Sequence, residues 1–120
     1  MANCNHLGKK FCALCDKRTQ KRELSEEVLF EVSDLFKVFA DSTRTKILFF
    51  LDESAHTVSE IATHLNTSLS AVSHQLRILK SYKLVKGERS GKEIIYSLSD
   101  HHVMHIVECA VDHVLGENCE

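Results

Sequence analysis

The feature that most restricts the fold is a change of hydrophobic period between residues 69 and 98. Leu69, Val72, Leu76 and Leu79 recur at intervals of three and four, the apolar stripe of a helix. Ile94, Tyr96 and Leu98 alternate at a period of two, which suits a half-buried strand. Between them, after Leu84-Val85, lies Lys86-Gly87-Glu88-Arg89-Ser90-Gly91-Lys92, expected as the basic loop joining the two strands of a hairpin. Thr67 and Ser68 supply caps for the helix, and a shorter helix over Val58, Ile61, Ala62 and Leu65 ends near Asn66 just before them. A short helix, a tight connection, a longer helix and a hairpin make a winged helix-turn-helix.

The longer helix carries its chemistry opposite the stripe. With Val72 as reference and about 100° per residue, Ser70, His74 and Arg77 face away from the core, and Ser73 and Gln75 lie on the flanks. Hydroxyl, amide and guanidinium groups hydrogen-bond base edges, while Arg89 and Lys92 of the wing would meet phosphates or a minor groove. Two further helices precede this unit. One begins at Ser25-Glu26-Glu27 and repeats Val28, Leu29, Val32, Leu35, Phe36 and Phe39. The other is capped by Asp41 or Ser42 and carries Ile47, Leu48 and Leu51. No proline interrupts any of them.

One domain is expected for 120 residues, a length that can bury a real core. The formal net charge of −2 conceals a segregation. From Ser70 to Lys92 six basic residues (Arg77, Lys80, Lys83, Lys86, Arg89 and Lys92) face one acid, Glu88. From Leu98 to Glu120 five acids (Asp100, Glu108, Asp112, Glu117 and Glu120) occur with no Lys or Arg. The first block suits phosphates and the second suits cations. No apolar run approaches the roughly 18 residues of a membrane span, and no signal-peptide pattern opens the chain, so a cytoplasmic protein without a membrane partner is expected. Five cysteines and eight histidines then read as metal or redox chemistry before disulfides. No phosphate loop or activated nucleophile is evident, so neither an enzyme nor a small-molecule substrate is expected.

The segment from Asp100 onward reads as one amphipathic helix with His102 and His113 eleven residues apart. That spacing returns to nearly the same face yet separates them by about 16 Å along the axis. Metal–nitrogen bonds are near 2 Å, so no single ion reaches both histidines of one chain. Two such helices packed antiparallel would bring Asp100 and His102 of one chain to the partner subunit's His113 and Glu117. Residues 1–23 form a separate arm with Cys4-Asn-His6 and Cys12-Ala-Leu-Cys15, a candidate second metal site of Cys4, His6, Cys12 and Cys15. The arm either closes its own site or recruits His56. Residues 24–117 would form the DNA-binding and dimerisation domain, and 118–120 a tail.

The stretch Leu69-Ser-Ala-Val-Ser-His-Gln-Leu-Arg-Ile-Leu-Lys80, with Leu84-Val85, the Gly91 wing and Tyr96-Ser97-Leu98, resembles the ArsR/SmtB family of metal-responsive repressors, nearest to the zinc sensors. Val38-Phe-Ala-Asp-Ser-Thr-Arg-Thr-Lys-Ile47 resembles the start of that family's second helix. The resemblance implies a mostly α winged-helix homodimer, joined through its N- and C-terminal helices. Such a dimer binds double-stranded operator DNA when metal-free and releases it when metal binds, controlling efflux or sequestration genes. It also implies a C-terminal-helix site, matched by Asp100, His102 and His113. The family's fourth position falls on Gly116, with the carboxylate one residue later at Glu117. Carboxylate and imidazole donors suit Zn2+ or Co2+, whereas the thiolates of the arm suit Cd2+ or Pb2+. The competing readings are a thiol-redox repressor using Cys12 and Cys15 and a metal-buffering protein that does not bind DNA.

Overall fold

A computed structural model describes residues 23–116. The arm ligands Cys4, His6, Cys12 and Cys15 and the carboxylate of Glu117 lie outside the described residues. Five helices and three short strands follow in the order α1 (Glu26–Phe39), α2 (Ser42–Glu53), β1 (His56–Thr57), α3 (Val58–Leu65), α4 (Leu69–Ser81), β2 (Val85–Ser90), β3 (Glu93–Leu98) and α5 (His101–Leu115).

Each described helix begins where a short polar side chain accepts from its free N–H groups. Ser25 accepts from Val28 N, Asp41 from Thr43 N and Arg44 N, and Ser68 from Ala71 N. Helix α3 has a reciprocal capping box: Glu60 N donates to Thr57 Oγ1 at 3.2 Å and Thr57 N donates to Glu60 Oε1 at 3.0 Å. The carboxyl of Glu60 is held below the ordinary value of 4.5, first by the Thr57 N–H and then by the His56 ring beside it. Ionised Glu60 therefore supports the folded state above its unfolded-state pKa, and that support is lost as pH falls through the lower folded-state value. Asn66 ends α3 in the left-handed region (φ 56°), which turns the chain into Ser68 and α4.

The core is built from Ile47, Leu48 and Leu51 of α2, Ile61 and Ala62 of α3, and Val72, Leu76 and Leu79 of α4. Leu84, Val85 and Val103, Met104 and Val107 of α5 close it. Helix α1 contributes a single buried residue, Val38, and Val28, Leu29, Phe30, Val32 and Phe36 stand exposed on one chain. The stripe expected on α4 is shorter than its sequence pattern, because Leu69 in the first turn is 55% exposed.

The wing differs from the expected two-stranded hairpin. Strand β1 pairs antiparallel with β3, His56 opposite Tyr96 and Thr57 opposite Ile95, giving a three-stranded sheet in the order β1-β3-β2. The segment expected as a loop is mostly strand: Lys86 to Ser90 pair in register with Ser97 to Glu93, and only Gly91-Lys92 turn. Lys86, Glu88, Arg89 and Ser90 are all exposed on this strand, so composition alone gave a loop where the backbone pairs. Gly91 takes φ 67°, the left-handed conformation that this tight turn requires. Gly87 is needed for space, since a Cβ there would stand 2.9 Å from Ile94 Cγ2 and 3.0 Å from Tyr96 Cε1. Gly87→Ala should cost about 1 kcal/mol or more in denaturant unfolding through this overpacking, whereas Lys86→Ala should cost almost nothing.

Candidate regulatory metal site and nucleic-acid interface

The acidic end of the chain is organised by α5. Asp100 is its N-cap, with Oδ1 accepting from His102 N at 2.9 Å and lying 3.5 Å from His102 Nδ1. Asp100 and His102 thus form a preassembled pair at the helix start, both open to solvent, with side chains 57% and 69% exposed. His113 lies exposed in the last turn of the same helix. Gly116 then ends it with φ 78°, its N–H donating to Asp112 O and His113 O. The helix ends at Leu115, one turn or less beyond His113. His101 is exposed and His105 and Asp112 are half-buried on the same helix. Among the described residues, no group of three or more His, Cys, Asp or Glu side chains gathers within one chain. The donors that are present, one carboxylate and two imidazoles, fit a borderline-soft divalent cation.

Beside α5 lies an open apolar groove of about 330 Å³, floored by Phe36 and Phe39 of α1 and by Ile106, Val111, Val114 and Leu115 of α5. Val114 is 80% exposed and Phe36 57%. Two helices thus present a continuous apolar surface that one chain leaves uncovered.

On α4 the residues expected to face DNA divide into two groups. Ser70, His74 and Arg77 are exposed, in keeping with the helical-wheel position of each. Ser73 and Gln75 are half-buried. Gln75 is engaged elsewhere: its Oε1 accepts from Arg44 Nε at 2.8 Å, while its amide NH2 is left as a donor for a further bond. Arg89 on β2 and Lys92 in the turn are exposed at the outer end of the wing.

His56 is also occupied. Its ring stacks on Phe50 at 3.9 Å, Nδ1 lies 3.0 Å from Glu60 Oε1, and Nε2 lies 3.0 Å from Ser54 Oγ. Recruitment of His56 by the arm would have to displace one of these partners. His64 stacks on Phe50 as well, at 3.9 Å. Sequence reasoning missed Arg44, Asp34 and Tyr82. Arg44 Nη1 donates to Val38 O at 2.9 Å, and Tyr82 OH donates to Asp34 Oδ2 at 2.7 Å. The Asp34 carboxylate beside it raises the Tyr82 hydroxyl above its ordinary value of 10, keeping it a donor. The Arg44–Gln75 and Tyr82–Asp34 bonds span 31 and 48 residues of sequence, and no local spacing announces them.

Comparison with known proteins bears on both surfaces. Residues 41–86, from the α2 cap into the wing, match the family of bacterial regulatory proteins of the arsR type. A transcriptional repressor SmtB homolog from Synechocystis is 36% identical over 110 residues, covering 84% of this chain and 83% of its own length. A cadmium resistance regulatory protein CadC homolog from Staphylococcus aureus is 36% identical over 94 residues, covering 78% of each chain. Among solved structures, the homodimeric winged helix-turn-helix DNA-binding domain of a regulator from Mycobacterium bovis superposes with a TM-score of 0.68 at 25% identity. It covers 83% of this chain and 99% of that one. The chain belongs to the ArsR/SmtB family of bacterial transcriptional regulators, and it is a metal-responsive repressor of that family and not an enzyme.

Proposed function

We propose that this repressor is a homodimer that binds operator DNA when metal-free and is released by zinc, with cadmium, lead or cobalt as alternative effectors. The observation that carries the reading is the layout of α5. Asp100 and His102 form an exposed pair at one end, and His113 stands exposed at the other. About 16 Å of helix rise separates the two imidazoles, so an ion using both must join two chains. Asp100 and His102 of one chain would hold it with the partner subunit's His113, and Glu117 would supply a fourth donor from just past the helix end. The uncovered apolar surface of α1 and α5 supports dimerisation through these two helices. Bound zinc would supply a link between the subunits. The ligating residues favour the dimer arrangement that completes the site, and DNA affinity falls by the difference in metal affinity between the two arrangements.

Exposed Ser70, His74 and Arg77 support major-groove reading by α4, and Arg89 and Lys92 support backbone or minor-groove contact by the wing. Ser73, and Gln75 through its free NH2, remain flank contacts. Arg77→Ala should weaken binding to a selected operator by about 1–3 kcal/mol while barely changing affinity for random duplex. Arg89→Ala and Lys92→Ala should weaken binding to both and flatten the dependence on salt. Gel-shift titrations at several salt concentrations, with and without zinc, test the reading; unchanged affinity in all three variants would remove the DNA-binding surface. The arm, with Cys4, His6, Cys12 and Cys15, is proposed as a separate thiolate site for softer ions. Residues 24–117 are proposed as the DNA-binding and dimerisation unit, and 118–120 as a tail.

A further inference from the structure

Two long-range hydrogen-bonded bridges run from α1 towards α4, and apart from Gln75 on the flank of α4 their residues belong neither to the DNA-reading face nor to the candidate metal site. In the first, Tyr82, the C-cap of α4, donates to Asp34 of α1 at 2.7 Å. In the second, Arg44 in the first turn of α2 is held at both ends. Its Nη1 donates to Val38 O near the end of α1, and its Nε donates to Gln75 Oε1 in the middle of α4. Asp34 and Val38 are four residues apart, one turn of α1; Gln75 and Tyr82 are seven apart, two turns of α4. The anchors therefore share one face on each helix. Arg44 is itself fixed, because Asp41 caps α2 through Arg44 N and its other carboxylate oxygen lies 3.8 Å from Arg44 Nη2. Helix α1 buries only Val38 fully, with Leu35 and Phe39 partly buried against the core, so the polar bonds add directional restraint to a small apolar contact.

We infer that Asp34, Arg44, Gln75 and Tyr82 form a polar brace that fixes the angle between the dimerisation helix α1 and the recognition helix α4. The brace thereby sets the separation of the two recognition helices in the dimer. This inference rests on the proposed DNA-binding homodimer. Two attachment points seven residues apart on α4 resist rotation as well as translation, which a single bond would not. The half-site spacing that a dimer accepts follows from the distance between its recognition helices. The brace residues are positioning residues for operator choice, and Gln75 acts through Arg44 before any contact of its own with a base.

The experiment uses a duplex selected from a random library by the full-length wild-type protein, remade with its half-site spacing lengthened or shortened by one base pair. Tyr82→Phe removes one hydroxyl, and Arg44→Lys removes the forked guanidinium that joins Val38 to Gln75 while keeping the charge. Each variant should lose about threefold to tenfold in affinity for the selected spacing. Each should also discriminate less between the selected and altered spacings, with random-duplex affinity and dimer mass unchanged. Asp34→Ala should match Tyr82→Phe, and the double variant should add nothing to either, because both remove one bond. A purely stabilising role would leave the spacing preference intact in all of them, and that result would overturn the inference alone. A wild-type protein that selected no duplex over random DNA would overturn the proposed function, and the inference with it.

Discussion

A mixed dimer of one His102→Ala chain and one His113→Ala chain should bind about one zinc ion tightly, while each homodimeric variant should bind none tightly. The reason is the geometry of α5. His102 stands beside the N-cap Asp100, and His113 stands in the last turn of the same 15-residue helix. If each site takes Asp100 and His102 from one chain and His113 and Glu117 from the other, one site of the mixed dimer carries both lesions. The other carries none. Either homodimeric variant damages both sites equally. Chains carrying different affinity tags allow the mixed dimer to be isolated, and competition against a chromophoric chelator counts the tightly held zinc. The mixed dimer should also keep a partial zinc response on DNA, which neither homodimer should show. Loss of all tight binding in the mixed dimer would place each site within one chain and remove the proposed subunit link.

Leu76→Ala should destabilise the domain by about 2–5 kcal/mol, whereas Leu69→Ala should cost less than about 1 kcal/mol. Both residues belong to the stripe legible on α4, and pattern alone would rank them together. Leu76 is 1% exposed among the core residues of α2, α3 and the wing, so truncating it leaves a cavity that close packing cannot readily refill. Leu69, 55% exposed in the first turn, loses little that water had not already reached. Urea unfolding at one fixed protein concentration separates the two, since dimerisation would otherwise shift the midpoint with concentration. Equal losses would mean that Leu69 is covered, which in a dimeric protein would point to the second chain. The Leu76 loss is large against the whole stability of a small domain, so repression should fail in that variant through unfolding and not through lost contacts.

Much of the candidate site was legible because its signals are local. Asp100 and His102 are two residues apart, and a short acid at a helix start accepts from the N–H two positions on whatever the rest of the fold does. The exposure of Ser70, His74 and Arg77 follows from the 3.6-residue period once Val72, Leu76 and Leu79 face inward. Caps at Ser25, Asp41 and Ser68 likewise follow from residue type and position.

What the sequence determined by itself is the set of helices, their caps, the period change into the wing and the donor spacing that forbids a one-chain site using both His102 and His113. These depend on bonds and angles within a few residues, which repeat in any fold. Tertiary structure alone decided that His56-Thr57 joins the wing as a third strand. It also decided that Leu69 escapes the core and that Gln75 turns to Arg44. Tertiary structure alone tied Tyr82 to Asp34, and it left α1 with one buried residue and an apolar face open to a partner. Each of these depends on which distant segment arrives beside a residue. Burial and long-range hydrogen bonding are properties of that neighbour as much as of the residue, and local spacing carries no record of it.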